Sequence, residues 1–597
     1  MAGNVLELRN ALARETMAVA IAKRWDEWQS DRRAWLADKK ELRQYLFATD
    51  TTQTTNSKLP WKNKTTIPKL TQIRDNLHSN YLSALFPNDN WMKWEGKDES
   101  SETKAKKAAI TTYLKNKTQQ DNFRTKLGHL LLDYIDYGIA IADVEWVEQY
   151  KEDPDTGEQI PEYIGPRVKR VSPLDIVFNP MATTFQQSPK ITRYLKNIGE
   201  LIQEYEDYPE KKYYKDAIDK ATQFRGKMNG FNQSDINKIA GFVVDGFGSA
   251  FDYYQSGVVE ILEFEGDYYD YENNVLERNK VITIIDRSYI LRNETSPSWI
   301  SGSLKTAVNW RERPDNLWGM GPLDNLVGMQ YRLDHLENAK ADAMDLAIYP
   351  PMMIKGNVEE FDWRPGGRIY TDMDGDAREM GTNLNGVMAA ASEAAAIEAK
   401  MEEMAGAPKQ AMGFRTPGEK TAFEVQQLMN AASRIFQEKI TTFEINFLEP
   451  ILNKMLEVSR RNMSRADLAR VIDDDVGAVD FMTITKSDIT AVGTVRAMGA
   501  RHFSAVSQLV QNINGIAASP IMQLIAPHIS GKAMYKMLED QFQLERFGLF
   551  KDNIAVIEHM ETQKLAGEAQ QQLQSQAQQP GLEGNTPVPE QPAQGGQ

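Results

Sequence analysis

Two stretches of this sequence carry an apolar stripe at helical spacing over more turns than a small globule can cover. From Pro322 onward, Leu323, Leu326, Met329, Leu333, Leu336, Ala339, Ala343 and Leu346 recur at intervals of three and four for about seven turns. Pro322 suits a first helical turn, and Pro350-Pro351 stops the pattern. The second stretch runs from about Pro417 to Asn462, with Val425, Leu428, Ala432, Ile435, Phe443, Phe447, Ile451 and Met455 as its stripe. Thr416-Pro-Gly-Glu419 opens it as a capping box, and Thr421-Ala-Phe-Glu424 repeats the option. At 1.5 Å per residue this helix spans about 65 Å, and Pro450 predicts a kink. Such stripes must be covered. A large α-rich monomer or an assembly of several copies meets that need, and periodicity alone leaves both open.

The front of the chain is read as helical too. Ile21, Trp25, Trp28, Trp35, Leu42 and Leu46 place one helix over 21–46, with Arg32 and Lys39 interrupting the seam. After a polar loop from Lys58 to Pro68, Leu70, Ile73, Leu77 and Leu82 mark a second helix, which ends before Pro87-Asn88-Asp89. A third helical stretch is expected from about Glu102 to Ile141. Asp153-Pro-Asp-Thr-Gly157 reads as a hairpin turn between two extended segments. The segments Val258–Phe264, Val275–Ile285 and Ser288–Arg292 are rich in β-branched and aromatic residues, with Asn273-Asn274 as a turn, and predict a small antiparallel module. Residues 361–386 read as extended or looped, Ala389–Met404 as an alanine-rich helix ending at Gly406, and further helices fall between 495 and 565. From Ala566 to Gln597 there are ten Gln and four Pro with almost no large apolar residue, so this tail is expected to be disordered. The expected fold class is mainly α with a small β insertion (α+β).

Composition narrows function by exclusion. The chain of 597 residues is 41% hydrophobic, close to the globular average, and has no apolar run of the length a membrane helix needs. Glu7, Arg9, Arg14 and Glu15 interrupt the first twenty residues, so no secretory signal is expected. Cysteine is absent, which excludes disulfides, thiol catalysis and zinc–thiolate sites. The net charge of −15 argues against a protein that coats nucleic acid by charge.

The candidate chemical motifs fail on inspection. Gly413-Phe-Arg-Thr-Pro-Gly418-Glu419-Lys420-Thr421 imitates a phosphate loop, but Glu419 stands where the lysine belongs and no buried strand precedes it. Helix capping explains it better. Asp372-Met-Asp374-Gly375-Asp376 lacks the glycine and glutamate of a calcium loop, having Ala377 and Asn383 in those places. Asp473-Asp474-Asp475 reads as an exposed run. His78, His129, His335, His502, His528 and His559 are scattered, and His129 and His335 default to core or interface positions. No cofactor, metal or catalytic residue is expected.

Five segments taken in order carry a resemblance. They are Ser83-Ala-Leu-Phe-Pro-Asn-Asp-Asn-Trp91; Leu130-Leu-Leu-Asp-Tyr-Ile-Asp-Tyr-Gly138 with its continuation to Trp146; Val171-Ser-Pro-Leu-Asp-Ile-Val-Phe-Asn-Pro180; Gly319-Met-Gly-Pro322 with its helix to Pro350-Pro351; and Thr416-Pro-Gly-Glu-Lys-Thr-Ala-Phe-Glu-Val425 with its helix to Pro450. Over about residues 60–460 the chain resembles the portal, or head-to-tail connector, proteins of tailed bacteriophages, most like those of short-tailed phages. The resemblance implies a non-enzymatic ring, usually of twelve subunits, at one capsid vertex of the virion, made in the host cytoplasm. Such a ring is the conduit for double-stranded DNA in packaging and ejection. Its implied partners are the terminase, the major capsid or scaffolding protein, and tail adaptor proteins, with no membrane.

Mapped onto this sequence, the resemblance implies a wing-like helical region with hairpin elements over 1–250 and a β-rich clip over 251–318. A stem helix follows over 319–350, then a wing over 351–470 and a crown over 471–565, before the tail of 566–597. The loop 406–416 resembles a channel-facing tunnel loop, and Arg415 becomes the candidate DNA contact. The other reading kept open is a different non-enzymatic virion or scaffold protein with an α-rich body.

Overall fold

The computed structural model describes residues 4–8, 14–59, 62–87, 91–97, 101–153, 157, 159–207, 211–226, 258–296, 303–348, 350, 352–355, 376–379, 384–406, 435–464, 467–472 and 479–499. The chain divides into two compact units, residues 1–470 with 481–505, and residues 471–480 with 506–597. The described residues of the second unit are the ends of strands β15 (Asp467–Ile472) and β16 (Val479–Ile484). All that follows concerns the first.

The predicted front helix is two. Helix α1 (Arg14–Asp31) and helix α2 (Arg33–Phe47) meet at Arg32, whose φ of −93° and ψ of 9° leave the helical well. The reason is a tertiary pull on its side chain. Arg32 is buried and donates from Nη1 to the Pro173 carbonyl and from Nη2 to the Leu174 carbonyl, each at 2.6 Å. Helix α3 (Lys69–Leu85) matches its pattern, with Leu70, Ile73 and Leu77 buried.

The expected stretch 102–141 is helix α4 (Ser101–Gln120) and helix α5 (Phe123–Asp136), followed by a strand, so Ile139–Ile141 belong to a sheet. Asn122 and Gly138, at φ of 50° and 72°, end one helical run and the other. Strand β3 (Ile139–Glu152) and strand β4 (Gln159–Arg170) pair antiparallel around the predicted turn, where Gly157 N–H donates to the Asp153 carbonyl at 2.8 Å.

The β structure is larger than a small insertion. Strands β7 (Val258–Asp270), β8 (Val275–Ile285) and β9 (Tyr289–Thr295) do form an antiparallel meander, with Asn274 at φ 56° in its first turn. But β7 also pairs with β6 (Lys190–Asn197), β6 with β5 (Ile176–Phe178), and β1 (Val5–Leu8) lies parallel to β7. The result is six-stranded. Its residues alternate between two cores, as a period of two requires. Leu262, Phe264, Ile282 and Ile284 face Ile21, Trp25 and Trp28 of α1. Val259, Ile261 and Ile285 face Leu201 of helix α6 (Ile198–Asp207) and Ala217, Ile218 and Ala221 of helix α7 (Lys215–Gly226). Strand β10 (Thr306–Asn309) joins the other sheet, next to β3.

The largest core gathers α3, α5, β3 and the later helices. The first predicted long helix is a 3₁₀ turn (Asp324–Leu326) and then helix α8 (Val327–Ile348). Helix α9 (Leu384–Met404) packs beside it and ends as predicted at Gly406, whose φ is 72°. The described part of the second long helix starts at 435 and ends with α10 (Glu449–Asn462). Before Pro450 it widens into a π-helical turn, Glu444–Leu448, where Glu449 N–H donates to the Glu444 carbonyl. Pro450 has no N–H for the Asn446 carbonyl, and the wider turn absorbs that mismatch. Short pairs complete the unit: β11 (Arg311–Arg313) with β12 (Asn316–Met320), β13 (Met352–Lys355) with β14 (Asp376–Glu379), and β2 (Met92–Gly96) with β17 (Gly493–Ala497). The class is α+β.

Candidate functional site

Arg415 lies outside the described residues, as do the loop beyond Gly406, the segment Thr416–Val425 and the phosphate-loop imitation Gly413–Thr421. So do Asp473–Asp475, residues 500–565 and the tail 566–597. Of the run Asp372–Asp376, the structure describes Asp376, in β14. Among the described residues no group of three or more His, Cys, Asp or Glu is placed to hold a metal ion, and no helix is long and apolar enough to cross a membrane. His78 bonds the Gly128 carbonyl at 3.0 Å and ties α3 to α5, His335 is half-buried, and His129 is exposed.

The structure brings four of the five resembling segments together. The Tyr137-Gly138 corner meets Gly319-Met-Gly321 at a distance that admits no side chain: a β-carbon on Gly321 would lie 2.5 Å from the Ile135 carbonyl oxygen. Phe178 of the third segment stacks on Trp318, with centroids 4.3 Å apart, and Trp318 packs on Trp35 at 4.6 Å. Asp324 anchors the start of α8 by accepting from Gly321 N–H at 2.8 Å and pairing with the buried Lys39. Tyr134 of the second segment packs edge-on against Phe443 at 5.0 Å and donates to the Lys439 carbonyl at 3.1 Å. Trp91 of the first stacks on Phe123 at 5.8 Å.

Two polar arrangements were not anticipated. On α8, Gln330, Asp334, Asn338 and Asp342 recur every four residues and so share one helix face. They hold the backbone of residues 62–70 rung by rung. Leu70 N–H donates to Gln330 Oε1 at 3.3 Å, Ile67 N–H to Asp334 Oδ1 at 3.0 Å, Thr65 N–H to Asn338 Oδ1 at 2.8 Å, and Asn63 N–H to Asp342 Oδ1 at 2.9 Å. The strict spacing of four was a signal available in the sequence beside the apolar stripe.

The second is a buried charge cluster between the two sheets and α10. Lys305, fully buried, pairs with Glu265, with Glu263 at 3.4 Å and with Asp143 at 3.5 Å. Burial alone would raise Glu265, but Lys305 and Lys190 outweigh it and hold the carboxyl low. Burial pushes Asp143 up to about 6 and Lys190 down to about 7. Lys454 of α10 donates to the Thr306 hydroxyl at 2.7 Å and approaches the carbonyls of Ser303, Leu304 and Lys305 at 3.1–3.2 Å. Nothing in the order of these residues in the chain announces that they meet.

These contacts define an α+β scaffold in which long helices lie over paired sheets and charge is spent on holding elements together. Residues 306–541 match the family model described as bacteriophage head to tail connecting protein. Over that stretch the chain is similar to the phage connectors, the family its five segments resemble. No curated protein matches the chain.

Proposed function

We propose that this chain is the portal protein of a short-tailed phage, a ring of twelve subunits at one capsid vertex. The observation that carries the reading is the connector match over residues 306–541, which starts at β10 and includes α8, α9 and α10. In this reading DNA passes through the ring in packaging and ejection, and the ring is the docking platform for terminase and tail proteins. It has no catalytic step. The net charge supports it. Twelve copies at −15 give about −180, and an acidic bore repels phosphates instead of gripping them. A few cations then touch DNA transiently, and Arg415 is the proposed one.

The assignments of clip to 251–318, stem to 319–350, wing to 351–470 and crown to 471–565 belong to this proposal. Native mass spectrometry with negative-stain imaging tests it. The expected result is a ring with a central hole and a mass near twelve times 67.7 kDa. A filament or a small compact oligomer turns the reading to another virion or scaffold protein. Arg415→Ala is expected to leave the ring intact and to impair packaging or retention of DNA; failed assembly would make it a structural residue instead.

A further inference from the structure

We infer that the buried seam between α8 and the loop of residues 50–67 binds one monovalent cation, sodium or potassium, through Asp334, Asn56, Thr51 and Thr66. Asp334 is fully buried. Its Oδ1 accepts from Ile67 N–H at 3.0 Å and from Gln330 Nε2 at 2.8 Å, while its Oδ2 has no hydrogen-bond partner. Asn56, also fully buried, has neither side-chain atom bonded, and the Thr51 and Thr66 hydroxyls are buried and unbonded as well.

The fold brings the segments that carry these groups side by side. Thr51 N–H donates to the Lys64 carbonyl, and Asp50 bridges Thr65, so residue 51 lies alongside 64–66. Thr66 stands between Thr65, which Asn338 holds, and Ile67, which Asp334 holds. The short helix Thr55–Lys58, which carries Asn56, packs on α8, and the Tyr45 hydroxyl against Thr55 feels the charge of Asp334.

Buried donors and acceptors left unmatched are costly, and a buried carboxylate without a counter-charge costs more. Among the described residues no cation pairs with Asp334. The nearby lysines are engaged elsewhere: Lys64 donates to the Leu59 carbonyl at 3.1 Å, and Lys69 pairs with Glu402 at 2.6 Å. Burial accordingly pushes Asp334 up to about 6. A carboxylate oxygen, an amide oxygen and two hydroxyls form a hard, all-oxygen donor set. With a single negative charge, a monovalent ion leaves the site neutral. A divalent ion would leave a net buried charge.

The test is thermal unfolding of the full chain in sodium, potassium or choline chloride at equal ionic strength. Sodium or potassium is expected to raise the midpoint by about 2–4 °C over choline. Asp334→Asn, which keeps the shape, is expected to erase that difference. Equal midpoints in all three salts overturn the inference and leave the site to water or a proton. So does a difference that Asp334→Asn retains. If Asp334→Asn does not fold, Thr66→Val serves: a several-fold rise in the cation concentration giving half the effect supports the site, and an unchanged value overturns it.

Discussion

Gly138 and Gly321 meet backbone to backbone: a β-carbon built on Gly138 would lie 2.3 Å from the Gly321 nitrogen. Gly138 also needs its φ of 72°, and its carbonyl accepts from Trp310 N–H at 3.0 Å. Steric exclusion and backbone conformation both demand glycine here. Gly138→Ala is expected to cost about 2–4 kcal/mol, more than a strained φ alone, because the start of α8 must also move. The urea midpoint of the purified variant checks this. A loss within 0.5 kcal/mol, the ordinary range for an exposed site, would contradict the contact.

A second expectation concerns Arg287 and Glu260. Arg287 Nε donates to Glu260 Oε2 at 2.6 Å and Nη2 to Oε1 at 2.9 Å, and both residues are buried. Removing Arg287 takes the bidentate partner from the buried Glu260, whereas removing Glu260 leaves Arg287 its ion pair with Asp26 at 2.7 Å. Arg287→Met alone is expected to lose about 3–5 kcal/mol, and Glu260→Leu alone less. The double variant is expected to recover a large part of that, since neither charge remains to be desolvated. A double-mutant cycle in denaturant reads the coupling. Additive losses would show that the pair does not act as a unit.

Asp133 gives a pH dependence with a definite sign. Burial pushes it up to about 6 from an ordinary 3.8, even though Arg170 donates to both of its oxygens at 2.5 and 2.6 Å. The native state therefore binds more protons than the unfolded one between those values. The stability this group contributes is full below about 3.8 and is lost as pH rises through 6. Asp133→Asn removes the slope. The gap in unfolding free energy between wild type and variant is expected to move in favour of wild type from pH 7 to pH 4. A constant gap would show that the Arg170 pair, not burial, governs the carboxyl.

Lys454 is the fourth case. Burial holds its ammonium down at about 8, against an ordinary 10.5, while it serves three carbonyls and a hydroxyl. Lys454→Met leaves those carbonyls unserved and is expected to cost about 2–3 kcal/mol at pH 7. The unfolded chain binds more protons between 8 and 10.5, so wild-type stability gains from this group as pH rises through that window. The variant is expected to lack this gain. Matching pH profiles would rule out a buried ammonium.

The sequence by itself determined the local elements whose signals are local. The stripe from Leu323, the turn at Asp153–Gly157, the asparagine turn before β8 and the glycine end of α9 each follow from periodicity or from a residue that allows one backbone conformation. The order of five segments also pointed to the connector family that residues 306–541 match.

Tertiary structure alone decided the rest. Ile139–Ala142 is a short apolar run that serves a helix or a buried strand equally well, and pairing with β4 and β10 chose the strand. Arg32 interrupts a helix because carbonyls at Pro173 and Leu174, 141 and 142 positions away, capture its guanidinium. Lys305, Lys454 and Asp334 look in sequence like solvated charges. A charge is buried only where distant chain segments supply its partners, and no local pattern records which segments those are.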